Sequence, residues 1–223
     1  MALLVYFLQL LPAFILIAYG YWKKNTKPYL IMLAMLLPSV LLYGYLLLGP
    51  PLFTSFGSWN YFLVKLLLFT VPGFLLVRCF GLGWRNFGIA RKRLKYSMGI
   101  GLLVLLVTAV FNSLLWDSNT VIDLSFFLTF SIPMFLDAFN EEFLFRGVFF
   151  MFAWKKGTHI WLAFAASTLL TIAWHPLELT RMVPSVLQGS LFCLLLYKSE
   201  NITGAWVSHG LNRSLVQVLS RFI

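Results

Sequence analysis

Polar positions in this chain are sparse and widely spaced, and long apolar runs fill the intervals. A helix needs about 20 apolar residues to cross the hydrocarbon core of a bilayer. Eight segments approach that length: 2–22, 29–48, 60–80 and 97–116, then 124–153, 159–176, 184–198 and 201–221. The alternating polarity of about ten residues that marks a membrane β-strand is missing, so helices are expected throughout. The 184–198 segment is short and reads as a partial or tilted span. The 124–153 segment is long, and Pro133 is the expected place for a kink or break. Trp22, Trp59, Trp84, Trp116, Trp154 and Trp161 fall at or near segment ends, where interfacial aromatics collect. The first segment lacks a preceding basic residue and a small-residue cleavage site, so it reads as a span rather than a signal peptide. The expected fold is all-α: a polytopic transmembrane helix bundle of about eight spans.

Composition strengthens this reading. Hydrophobic residues make up 61% of the chain and charged residues 11%. Soluble domains carry roughly 25% charged residues, so a soluble domain and a disordered chain are both excluded. A net charge of +10 is compatible with nucleic-acid binding, but the distribution of the bases points elsewhere. Twelve bases fall on one side of the eight expected spans: Lys23, Lys24, Lys27, Arg78, Arg85, Arg91, Lys92, Arg93, Lys95, Lys155, Lys156 and Lys198. The opposite side holds Asp117, Asp123, Glu178, Arg181 and Arg221. By the positive-inside rule the basic loops are cytoplasmic and both termini lie outside. The expectation is an integral multi-pass protein of the cell membrane, surrounded by lipid bilayer, with no nucleic-acid partner. Cys79 and Cys193 lie in separate apolar segments and form neither metal-ligand spacing nor a disulfide framework.

Ionisable groups inside spans are costly and usually functional. The first half has one, Lys65, expected to snorkel from its span. The second half has Asp137, Glu141, Glu142, Arg146, His175, His209 and Arg213, with Asn212 beside the last. Residues 1–123 therefore read as a scaffold of about four helices, and 124–223 as the functional core. Glu142 and Arg146 have the favoured acid-then-base spacing of four on a helix, so Arg146 can neutralise one carboxylate and leave the other for proton chemistry. Asp137, one turn before Glu141, reads as a packing or hydrogen-bonding residue. Counted from the turn near residue 157, Glu141 and His175 stand about 24 and 27 Å up their helices, at one level. His209 stands about 15 Å above its own turn, some two helical turns lower. His209 and Asn212 share one helix face, where interhelical hydrogen bonding is the competing role. His159 sits in a turn beside lysines and reads as interfacial. No Gly-x-Ser-x-Gly surrounds any serine, which excludes that nucleophile.

The order Glu-Glu-x-x-x-Arg-Gly, then a span ending in His, then a span with His and Asn resembles the CAAX protease and bacteriocin-processing family. These are the Abi-type intramembrane endopeptidases that include the Ras-converting CAAX protease. The likeness covers roughly residues 130–215. Glu141, Glu142 and Arg146 match the first family motif. In the second, Phe-x-x-x-His, His175 matches and Thr171 stands in the Phe position. In the third, His-x-x-x-Asn, His209 matches, Arg213 takes the Asn position and Asn212 lies one residue early. The resemblance implies hydrolysis of a peptide bond in a membrane-associated or lipidated peptide. Glu141 and His175 would activate water, Arg146 would pair with Glu142, and His209 and Asn212 would donate to the oxyanion. No cofactor is favoured, although Glu141, His175 and His209 also form a catalytic zinc set with water as fourth ligand. Two other classes stay open: a non-catalytic immunity or regulatory membrane protein of the same family, and a proton-coupled transporter. The transporter is disfavoured because no inverted repeat is visible.

Overall fold

The computed structural model describes residues 2–48, 58–115, 122–175, 179–220 and 222. Among these there are eight long helices and no strand. They are α1 (Ala2–Trp22), α2 (Lys27–Leu48), α3 (Trp59–Cys79), α4 (Leu94–Ser113), α5 (124–155), α6 (Ile160–Ala173), α7 (Leu179–Ser199) and α8 (Thr203–Leu219). A 3-10 turn, Trp84–Phe87, lies in the basic segment between α3 and α4. The eight apolar segments thus all become helices. Only two described helices, Trp59–Cys79 and Leu94–Ser113, are long and apolar enough on their own to cross a membrane. Trp116, Asp117, Glu178 and Arg221 lie outside the described residues.

Two expectations about helix ends are corrected. The short segment 184–198 is part of a 21-residue helix, Leu179–Ser199. Polar residues in its first turns lower the hydropathy without stopping the helix. Pro133 does not break α5. It follows directly on a π-helical turn, Phe127–Ser131. Proline removes an N–H and crowds the carbonyl one turn back, and a wider i→i+5 turn relieves both. The same device recurs in α3, where the π turn Leu66–Thr70 precedes Pro72.

α5 is the central helix. Its residues 140–153 are all buried, including the π-helical run Phe143–Phe152. A helix that is apolar all round needs neighbours on every side. Phe87 stacks on Phe152 at 4.7 Å between ring centroids, and Phe74 meets Phe143 edge-on at 5.1 Å. Outer helices show the reverse pattern. On α3 the exposed positions include Leu63, Leu67, Val71 and Leu75, while Lys65 and Thr70 are buried. On α4, Leu102, Leu103, Leu106, Val107 and Val110 are exposed. Apolar outside and polar inside is the arrangement expected of helices that face lipid.

α8 is held against α4 and α5 at close range. A Cβ on Gly101 would lie 2.4 Å from the Gly204 carbonyl oxygen, so only glycine permits this crossing. The Ser97 hydroxyl donates to the Asn201 carbonyl at 2.8 Å and accepts from the Gly204 N–H at 2.9 Å. Buried Asn201 caps α8 through the Thr203 N–H (2.9 Å) and donates to the Lys92 carbonyl at 3.1 Å. The Trp206 indole N–H donates to the Phe135 carbonyl at 2.9 Å, and a Cβ on Gly210 would clash with Phe135. These contacts fix the height at which α8 presents His209 and Arg213 to α5.

Candidate functional site

Three bases, Lys65, Arg146 and Arg213, meet inside the helix bundle. They meet three buried acids of α5, Asp137, Glu141 and Glu142. Lys65 Nζ lies 2.7 Å from Asp137 Oδ2 and 2.5 Å from Glu141 Oε1. Arg213 reaches the same two oxygens from α8: Nη1 is 2.9 Å from Asp137 Oδ2, and Nη2 is 2.8 Å from Glu141 Oε1. Two cations and two carboxylates thus close a ring. Asn140 extends it, donating to Asp137 Oδ1 at 3.3 Å and accepting from the Thr70 hydroxyl of α3 at 2.6 Å. Glu141 Oε2, the oxygen outside the ring, is buried and has no hydrogen-bond partner among the described residues.

Glu142 has different company. Its Oε1 faces His209 Nδ1 at 2.7 Å and Arg146 Nη1 at 3.3 Å. Arg146 is 1% exposed and lies near the rings of Phe145 and Phe192, 5.6 and 5.4 Å from their centroids. Its Nε and Nη1 make no directed hydrogen bond among the described residues. The Arg146–Glu142 pair expected from the spacing of four is present as a single contact, and Glu142 Oε2 has no hydrogen-bond partner among the described residues. The other ring nitrogen of His209, Nε2, stands 3.7 Å from Glu141 Oε2.

The expected two-turn height difference between His209 and Glu141 does not exist. A π-helical run places more residues in each turn, so Phe143–Phe152 climbs less than an α-helix of that length and closes part of that gap. His175 lies just past the end of α6, half-buried, with Nδ1 2.8 Å from the Thr171 carbonyl. A carbonyl only accepts, so Nδ1 carries the proton and Nε2 of the neutral ring holds the lone pair. Asn212 is buried, and its Oδ1 has no hydrogen-bond partner among the described residues. Ser208 Oγ, one turn earlier on α8, is in the same condition.

The structure brings Glu141, Glu142, Arg146 and His209 together, although the spacing had set His209 two turns lower. Sequence reasoning did not foresee that Lys65, Asp137 and Arg213 join them. Lys65 does not snorkel: it is 1% exposed, with its ammonium 4.8 Å from the Tyr61 ring centroid and 5.3 Å from that of Phe69. The signal for these three was in their spacing. Asp137 precedes Glu141 by four, and Arg213 follows His209 by four, so each shares a helix face with a motif residue. Among the described residues, no three His, Cys, Asp or Glu side chains are grouped to hold a metal ion. The zinc set of Glu141, His175 and His209 also fits poorly on charge. A dication on Glu141 would stand beside the two cations already bound to that carboxylate.

The fold and the site define an all-helical protein with a carboxylate–histidine centre buried between its helices. Residues 123–215 match the family model Rce1-like, described as type II CAAX prenyl endopeptidase Rce1-like. The resemblance to the CAAX protease family is thereby shown over this stretch, which holds every residue of the site except those from α3. The matched family is one of membrane proteases. No curated protein and no solved structure matches the chain.

Proposed function

We propose that this chain is an intramembrane endopeptidase that hydrolyses a peptide bond in a membrane-associated or lipidated peptide. One observation carries the reading: Glu141 Oε2 is buried, unpartnered and 3.7 Å from His209 Nε2, inside the stretch that matches a protease family. In this reading Glu141 Oε2 and His175 Nε2 serve as the basic atoms. Between them they take a proton from water as its oxygen attacks the scissile carbonyl carbon. The proton passes to the amide nitrogen as the C–N bond breaks. His209, oriented by Glu142, donates through Nε2 to the developing oxyanion when both ring nitrogens carry protons, and Asn212 offers its amide beside it. Arg146 balances the charge of Glu142. No metal is needed for these steps, and a strong chelator should leave cleavage intact. The eight helices span the membrane in this reading, with the basic loops in the cytoplasm and residues 1–123 supporting a core at 124–223.

A second reading has its own support. Glu141 Oε1 carries two cations, as in a purely structural ion-pair lattice, and that suits a non-catalytic immunity or regulatory protein of the family. One experiment separates the two. Purified wild type and Glu141→Ala are incubated with a fluorogenic peptide ending in S-farnesyl-cysteine and three further residues, with an unprenylated copy alongside. Membrane peptides from cells making each form are compared in parallel. The protease reading expects cleavage to fall about 10²–10⁴-fold in the variant. Equal cleavage by both, or an unchanged peptide pool with no reporter cleavage by wild type, favours the non-catalytic protein.

A further inference from the structure

Lys65 comes from α3, outside the matched stretch, yet it makes the shortest ion pair of the site, 2.5 Å to Glu141 Oε1. We infer that Lys65 is a positioning residue for Glu141: together with Arg213 it pins Oε1 and leaves Oε2 as the one oxygen free to work. This rests on the protease reading above. Geometry supports it in three ways. First, Lys65 and Arg213 approach from two helices, and both contact the same atom of Glu141 and the same atom of Asp137. A carboxylate held by two donors on one oxygen cannot turn to exchange its oxygens without breaking both contacts. Second, Lys65 is itself held, with the Tyr61 and Phe69 rings on its own helix and 1% exposure. Third, Lys65 ends an α-helical stretch, Trp59–Lys65, and the π turn Leu66–Thr70 begins at the next residue. The turn of the helix changes where the ammonium is delivered. Glu142, by contrast, receives no cation from the first half of the chain among the described residues.

The test has two arms that fail separately. In the first, protein in lipid nanodiscs is treated with dicyclohexylcarbodiimide, an apolar reagent that couples to protonated carboxyls, and adducts are located by mass spectrometry. Tyr61, Asp137, Glu142, His175, His209 and Arg213 are the other titratable groups facing Glu141, and all are unchanged in the Lys65 variants. Wild type and Lys65→Arg should leave Glu141 unlabelled. Lys65→Met should raise its labelling at least about tenfold, the least effect expected from removing an adjacent opposite charge. If Lys65→Met yields little folded protein, Arg213→Met removes the other cation from the same oxygen and carries the same expectation. Labelling that is absent from Glu141, or confined to Asp137, overturns the pinning.

In the second arm, cleavage of the farnesylated reporter is measured for Lys65→Arg, which keeps the charge but moves it. A positioning role expects kcat to fall about 10- to 100-fold with little change in KM. Wild-type kcat in that variant overturns positioning and makes Lys65 a structural counter-charge. A reporter that the wild type does not cleave, or that Glu141→Gln still cleaves, counts against the protease reading instead. The labelling arm then decides Lys65 alone.

Discussion

Glu141 and Glu142 are adjacent on one helix and live in opposite surroundings. Glu141 belongs to a ring of two acids and two cations drawn from three helices, with one oxygen spent on the ring and the other free. Glu142 is fully buried and leans through Oε1 on one imidazole and the edge of one guanidinium, while its Oε2, like that of Glu141, has no hydrogen-bond partner among the described residues. Successive residues on a helix point about 100° apart, which places the two carboxylates against different neighbours. The comparison separates two tasks that a Glu-Glu pair might be thought to share. One carboxylate is clamped at one oxygen and open at the other. The second has no cation clamp of this kind, and its engaged oxygen orients a histidine.

The contrast is broken most severely at Arg146. Arg146→Leu removes the guanidinium beside Glu142 and strands a buried carboxylate, at a cost of about 3–5 kcal/mol. Folded yield in detergent should collapse, whereas Arg146→Lys should keep the fold and lose only about 0.5–2 kcal/mol of cation–π contact with Phe145 and Phe192. Equal yields from the Leu variant and the wild type would show that Glu142 does not depend on this cation. A smaller effect sharpens the same side of the comparison. A Cβ on Gly189 of α7 would come 3.2 Å from Arg146 Nη2 and 3.6 Å from Thr171 Oγ1. Gly189→Ala should therefore cost about 1–3 kcal/mol by overpacking, seen as a lower melting temperature. The Glu141 side has no such neighbour, so its clamp should survive, with carbodiimide labelling of Glu141 still absent.

The least effect is expected far from both carboxylates, and it serves as a baseline. Lys155 donates to Glu200 at 2.9 Å across the turns that precede α6 and α8, and both side chains are partly exposed. The lysine's hydrogen bond, more than its charge, holds the Glu200 carboxyl below its ordinary value. A lowered folded-state value means the contribution is present above the usual glutamate range and is lost as pH falls through the lowered value. Glu200→Gln should cost at most about 1 kcal/mol at neutral pH and nothing in strong acid, measured by thermal unfolding across pH and salt. A loss as large as that of Gly189→Ala would show that this turn matters to the core.

The apolar runs made the helices legible, because lipid-length hydrophobic segments leave little else for the backbone to do. The Glu141–Glu142–Arg146 cluster was legible for the same reason: charge in such a run is conspicuous. What stayed hidden was partnership across helices. Lys65 looked like a snorkelling residue because its partners lie more than seventy positions away in sequence. Arg213 looked like a departure from the Asn of the third motif, and the ring it closes shows what that side chain contacts here. The height of His209 was misjudged in part because a constant rise per residue was assumed, and ten residues of α5 do not follow it.

The two π turns that precede prolines have a meaning for how such a chain can change over time. Each accommodates one residue more than an α-helical turn, so everything beyond it is advanced in phase by about 100° relative to what lies before. On α3 the turn separates Lys65, which faces the site, from Gly73, where a Cβ would meet the Phe143 ring at 2.4 Å. A chain shorter by one residue between 66 and 70 would keep its hydropathy, its helix and every side chain named here, yet Lys65 and Gly73 could no longer face α5 together. Along this helix the count of residues is inherited information in its own right, and a comparison of sequences that tolerates gaps there would miss it.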